Sequence, residues 1–203
     1  MDDCVVIALF RHGMTEANRR KVYLGWEDSP LCPESMHFST NKRYECYFSS
    51  DLKRCQHTAE ILFPDHPLIL LNNLREMNFG KWEGKTYANL KEDKHYQSWL
   101  SDPMGFAPPD GESLLGFTNR IGAGWKQIVN EIMNQNRHRV AVITHSGVIR
   151  MLLTQYARDK KSFWDWGVEH DKGYELIFEK EALRRGQRCT LLQEVPLTVK
   201  EPG

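Results

Sequence analysis

The chain has 203 residues, with 27 Lys and Arg against 27 Asp and Glu. That is enough for one domain with a substantial core, and it leaves no net charge to draw the protein to nucleic acid or a membrane surface. Five cysteines, odd in number and without a C-x-x-C pair, read as reduced thiols of a cytoplasmic protein. The opening Met1-Asp2-Asp3 lacks the basic region of a signal peptide, and no apolar run approaches the ~20 residues that span a bilayer.

Val5 to Phe10 is apolar without period-two alternation, which predicts a strand buried on both faces. It ends in Arg11-His12-Gly13, and open α/β sheets bind ligands at such C-terminal strand ends. A guanidinium grips phosphate oxygens with a planar fork, an imidazole attacks phosphorus, and a glycine lets backbone come close. Together they predict an anion pocket containing a nucleophile or base. Thr15 to Asn18 predicts the first turn of a helix. Arg19-Arg20-Lys21 reads equally as a solvated face or as a positive rim over the pocket. Val22 to Leu31 is loop, a short helix is expected within 33–43, and a strand over Tyr44 to Phe48.

Ser49-Ser50-Asp51 is expected to cap a helix whose apolar stripe is Leu52, Cys55, Ala59 and Leu62. Arg54 falls in the first turn, off that stripe. A surface position is the simpler reading; the other is that it shares an anion with the helix N-terminus. Leu68 to Leu71 predicts another strand. Glu76 follows among glycines and aromatics, a carboxyl placed to be partly desolvated and to carry a proton near neutral pH, with Glu83 as competitor. Gly80 to Thr86 imitates a nucleotide P-loop, but its spacer is one residue short and no apolar strand leads into it.

Residues 85–112 read as an insertion over the end of the sheet, with Lys85, Lys91 and Lys94 either solvated or gripping a substrate. Asp110 to Ser113 opens the longest helix, with a stripe at Leu114, Phe117, Ile121, Trp125, Ile128 and Ile132. Gly116, Gly122 and Gly124 oppose it by roughly 1 kcal/mol each; close approach of a neighbouring backbone is the expected reason. Val140 to Thr144 is a second fully buried strand, ending in His145-Ser146-Gly147 before another helix. Strand–His–helix therefore occurs twice, and parallel neighbouring strands would set both histidines at one edge. Further strands are expected at Tyr174 to Phe178 and Leu191 to Val195, and a frayed end from Thr198 to Gly203.

Four segments make the chain resemble the histidine phosphatase superfamily, also called phosphoglycerate-mutase-like. They are Arg11 to Asn18, Ser49 to Ala59, Leu74-Arg75-Glu76 and Thr144 to Gly147, in the family's order over about residues 4–180. The resemblance implies an α/β fold, a three-layer α/β/α sandwich around a mostly parallel central sheet. It implies one domain over 1–203, with a small lid inserted at about 77–112 over the C-terminal strand ends. His12 would be the nucleophile and form a phosphohistidine. Arg11, Arg54 and His145 would complete the pocket, with Asn18 and Ser146 also on the phosphoryl group, and Glu76 would protonate the leaving oxygen. Tyr23, Gly25, Trp82 and Lys85 are the implied substrate contacts. No metal and no cofactor is implied, and the partner is a small-molecule phosphate ester.

Two departures stand out. Most members carry L-T-x-x-G-x-x-Q-A where this chain has Leu31 to His37, which puts the first crossover helix in question and leaves a homodimer open. Glu76 is followed by Met77, where glycolytic mutases carry an arginine. Glu76-x-x-Phe79-Gly80-x-Trp82-Glu83-Gly84, with Pro109 to Ser113, looks more like the α-ribazole and broad-specificity phosphatases. The expected reaction is hydrolysis of a small phosphomonoester, ahead of α-ribazole phosphate specifically and then of a mutase reaction. A non-catalytic phosphate-binding module is the alternative from another class.

Overall fold

A core lies on each side of the first strand, and that is why its apolar run has no polar alternation. The structure, a computed structural model, describes residues 4–199; the opening Met1-Asp2-Asp3 and the last four residues, with the readings placed on them above, lie outside the described residues. In β1 (Cys4–Arg11), Ile7 and Leu9 face a core shared with α5 (Leu114–Asn134) and α6 (Ser146–Tyr156). Ala8 and Phe10 face the other core, built on Cys55, Ala59 and Leu62 of α2 (Lys53–Leu62). β5 (Arg139–Thr144) divides in the same way, Val140 and Val142 to one side, Ala141 and Ile143 to the other.

The sheet runs β4 (Leu68–Leu70), β3 (Cys46–Ser49), β5, β1, β6 (Lys172–Glu179), β7 (Leu191–Pro196). The first four are parallel; β6 is antiparallel to β1, and β7 to β6. The fold is a three-layer α/β/α sandwich. Arg11 pairs with Thr144, so His12 and His145 leave adjacent strands at one edge. Because β6 runs the other way, with Gly173 opposite Phe10, the segment entering β6 arrives at that same edge. α7 (Lys180–Arg184) joins β6 to β7.

Four local expectations change. Ser49-Ser50-Asp51 does not cap α2: Ser49 ends β3, Asp51 is bridged to Arg75, and the cap position is Leu52, without a side-chain hydrogen bond. Asp28, remote in sequence, accepts from Lys53 N (2.9 Å) and Arg54 N (3.4 Å) and so satisfies the free amides of the helix start. Within 33–43 there is a 3₁₀ turn, Pro33–His37, followed by β2 (Phe38–Ser39), which pairs with β8 (Thr198–Val199). Thr198 and Val199 are therefore tied down rather than frayed. Of the α5 glycines, only Gly124 comes near a neighbouring backbone: a methyl there would sit 3.0 Å from Asn73 Cβ and 3.5 Å from its backbone C and O. Gly116 meets only Ser113 and Glu112 side chains, and nothing crowds Gly122.

Residues 77–112 leave the sheet as an aromatic excursion. It holds a 3₁₀ turn at Gly80–Trp82, not a phosphate cradle, then α3 (Tyr87–Leu90) and α4 (Lys94–Ser101). Trp82, Tyr96 and Trp99 pack on one another, and Tyr23 packs edge-on against Tyr96 and Trp99. Gly80, at φ +52°, backs onto Pro109 to Gly111 and closes the base of the excursion. Before it, α1 (Glu16–Arg19) is one turn capped reciprocally by Thr15 and Asn18. Among the described residues no helix is long and apolar enough to cross a membrane.

Candidate active site

His12 is 4% exposed and continues the ladder of its strand, donating from N to Thr144 O at 2.9 Å. Its Nδ1–H donates to Gly13 O at 2.8 Å. That fixes the tautomer and leaves the Nε2 lone pair free for attack. Burial, then the charges of Arg54, Arg11 and His170, hold its pKa well below the usual histidine value, so the imidazole is neutral.

His145 occupies the cap position of α6, and its ring centroid lies 5.2 Å from that of His12. Arg54 Nη2–H donates to His145 Nδ1 at 3.2 Å, which puts the His145 proton on Nε2, 2.9 Å from Ser50 Oγ. Burial, then Arg54 and His12, lower its pKa strongly.

Arg54 is 1% exposed, so the surface reading fails. Its guanidinium is held by Glu27 O (2.7 Å), Asp28 Oδ1 (3.1 Å) and Gly25 O (2.6 Å). Arg11 donates from Nη1 to Val168 O at 2.8 Å. Burial lowers the Arg11 pKa to about 10, with Glu76 opposing, so it stays cationic at neutral pH. In both arginines the buried Nε has no partner among the described residues. Two unpaired donors beside a neutral imidazole with a free Nε2 fit a ligand that brings its own oxygens. Asn18 accepts from Thr15 N and Thr15 Oγ1 through Oδ1, and its NH₂ has no partner among the described residues. Ser146 opens α6, whose amides and dipole favour an anion.

Glu76 lies across the start of α6. Its Oε1 accepts from Met77 N (3.0 Å) and its Oε2 from Gly147 N (2.9 Å). Its own carbonyl is gripped by Trp26 Nε1 (2.9 Å) and Arg120 Nη2 (3.1 Å). The carboxylate lines a cavity of about 600 Å³. Glu83 does not compete with it: its oxygens accept from the amides of Gly25, Trp26, Glu27 and Phe79, at 2.7–3.2 Å, and fasten the loop instead.

Of the four expected substrate contacts, only Tyr23 lines this cavity, with its OH on Tyr96 OH at 2.6 Å. Trp82 is 1% exposed and enclosed among aromatics. Gly25 has its carbonyl on Arg54 and its backbone against Met77 and Glu83. Lys85 is exposed and its carbonyl accepts from Tyr23 N. Lys94 is likewise on the surface, and Lys91 pairs with Glu92. The cavity walls are instead Phe79, Trp99, Phe117, Met151, Phe163 and Trp164.

Two residues were not found from the sequence. His170 donates from Nδ1 to His12 O at 2.7 Å, with ring centroids 5.6 Å apart; burial and Arg11 lower its pKa to about 4. Only the antiparallel direction of β6 brings it there. Arg150 lines the cavity from α6; its signal was a lone cation in the apolar run Val148 to Leu153. Among the described residues no group of three or more His, Cys, Asp or Glu is placed to hold a metal ion.

The model of the histidine phosphatase superfamily (branch 1) matches residues 7–184. The adenosylcobalamin/alpha-ribazole phosphatase of Escherichia coli (strain K12) is 26% identical over 174 residues, covering 79% of this chain and 84% of that protein. A broad-specificity phosphatase of Saccharomyces cerevisiae is 30% identical over 170 residues, covering 75% of this chain and 71% of that protein. The crystal structure of the alpha-ribazole phosphatase from Shigella flexneri shares the fold, at a TM-score of 0.75 and 22% identity over 97% of this chain and 96% of that one. The chain belongs to the histidine phosphatase superfamily and is a phosphomonoester hydrolase.

Proposed function

We propose that the chain hydrolyses a small phosphorylated metabolite through a covalent phosphohistidine at His12. One observation carries this reading: the Nδ1–H of His12 is committed to Gly13 O, so Nε2 presents a lone pair beside the unpaired Nε donors of Arg11 and Arg54. Nε2 forms the bond to phosphorus while the P–O bond to the alcohol breaks. Glu76 gives its proton to the departing oxygen, and the alcohol leaves neutral. Water then attacks the phosphohistidine, Glu76 takes a proton from it, and the N–P bond breaks to release phosphate. Arg11, Arg54, Asn18 and Ser146 hold the phosphoryl oxygens where charge develops, and His145, with Nδ1 accepting from Arg54 and Nε2–H on Ser50 Oγ, braces Arg54 rather than meeting the phosphoryl group itself. The excursion at 77–112 acts as the lid that separates the reaction from bulk water.

The aromatic cavity favours an alcohol that carries a ring. α-Ribazole phosphate, for which relatives are named, is the second reading on that ground. A three-carbon phosphoglycerate leaves those walls unfilled, and Met77 stands where a mutase has its arginine. The odd number of cysteines without a C-x-x-C pair supports the cytoplasm as the compartment of the reaction. The test is a labelled phosphoryl donor. Acid-labile, base-stable label on the protein is expected, absent in His12→Ala; turnover that survives His12→Ala overturns the mechanism.

A further inference from the structure

We propose that Arg150 selects esters whose leaving alcohol carries, besides a ring, a second anionic group. The inference rests on the phosphatase reading and narrows its substrate class. Arg150 stands in the second turn of α6, with Nε donating to Trp166 O at 3.0 Å and the guanidinium carbon 5.7 Å from the Trp164 ring centroid. It lines the cavity. Among the described residues no carboxylate pairs with it, and neither Nη has a hydrogen-bond partner.

The neighbouring arginines are differently placed. Arg75 is bidentate on Asp51. Arg120 holds Glu112 and backbone carbonyls. Arg54 has Asp28 and two carbonyls. Arg150 alone of these faces aromatic walls with its fork open. Among the described residues the only carboxylate on the cavity is that of Glu76, which already accepts two backbone amides.

Arg150 also repels Arg11, lowering its pKa. A second anion on the substrate relieves that repulsion. Between apolar walls the attraction is weakly screened. A neutral ring alcohol fills the walls but leaves both Nη groups without an acceptor.

The test uses binding of three non-hydrolysable probes, measured by calorimetry: benzylphosphonate, 4-carboxybenzylphosphonate and p-xylylene bisphosphonate. At least one of the two doubly anionic probes should bind wild type about tenfold more tightly than benzylphosphonate. The carboxylate and phosphonate arms distinguish which anion is read. The advantage should fall to near unity in Arg150→Met and return in part in Arg150→Lys, which keeps the charge but not the fork. A ratio between probes is insensitive to partial loss of folded protein; if the methionine variant does not fold, the ratio in Arg150→Gln decides. Equal binding of all three by wild type overturns the proposal, as does an advantage that survives Arg150→Met. Absence of binding by every probe overturns it too. Turnover of p-nitrophenyl phosphate then shows whether the phosphatase reading stands without it.

Discussion

The amide of Gly147 donates to Glu76 Oε2 at 2.9 Å, and a methyl group at position 147 would land on the other carboxylate oxygen of the same residue. The glycine therefore both orients the carboxylate and makes room for it. In Gly147→Ala the end of a flexible side chain yields, not backbone. Turnover of alkyl phosphates should fall about tenfold or more, the cost of misplacing a reacting group, with thermal unfolding nearly unchanged. Undiminished turnover would show that the position of Glu76 does not matter.

Glu76→Gln keeps the shape and one of the two amide contacts but has no acidic proton. Turnover of alkyl phosphates should drop by roughly 10²–10⁴, the usual contribution of a positioned acid. p-Nitrophenyl phosphate, with a good leaving group, should suffer much less. Equal losses on both would remove Glu76 as the donor.

Stability should decline as pH falls from neutral. His12, His145 and His170 all have native pKa values below the usual 6.5, His170 at about 4. Between 6.5 and those native values the unfolded chain holds more protons than the native one. Each such histidine therefore removes up to about 1.4 kcal/mol of stability per pH unit within its window. Urea unfolding at about pH 7.5, 6 and 5 measures the slope, and His170→Gln should make it shallower. An identical slope in the variant would mean that His170 titrates normally.

Glu83→Gln should loosen the loop that serves Arg54. One carboxylate accepts from four amides, and a carboxamide has a single acceptor oxygen. Unpaired amides cost about 1–3 kcal/mol where they are buried, and Gly25 and Glu27 supply the carbonyls on Arg54. Urea unfolding should shift to lower concentration, and inorganic phosphate should inhibit more weakly. Unaltered inhibition by phosphate would separate the loop from the arginine.

Activity should be indifferent to EDTA, because Arg11 and Arg54 supply the positive charge that a metal ion supplies elsewhere. Complete loss in EDTA, restored by a divalent ion, would contradict the assigned pocket.

The sequence displayed what depends on local pattern. The β1 and β5 runs, the α5 stripe and the two strand–His–helix junctions are local, and the sheet follows from them. Local pattern alone favours a surface position for Arg54, and only the family resemblance puts it in the pocket, because its partners, Glu27, Asp28 and Gly25, come from a loop with no periodicity to place it. The cap of α2 was assigned to Ser49-Ser50-Asp51 because they are adjacent, whereas Asp28 reaches it through space. His170 depended on the direction of a strand pairing, which composition does not encode. Trp82 and Lys85 fell in a motif-like stretch, but packing turned one inward among aromatics and left the other in solvent.

β1 and β5 touch along their length although one opens the chain and the other lies in its second half. Closing so long a loop costs chain entropy that the contact must repay. A nascent chain that ends before β5 carries Arg11, His12 and Arg54 yet has no place to hold phosphate. The finished pocket is a property of the completed chain, and an anion bound there stabilises the whole fold through mass action rather than one corner of it.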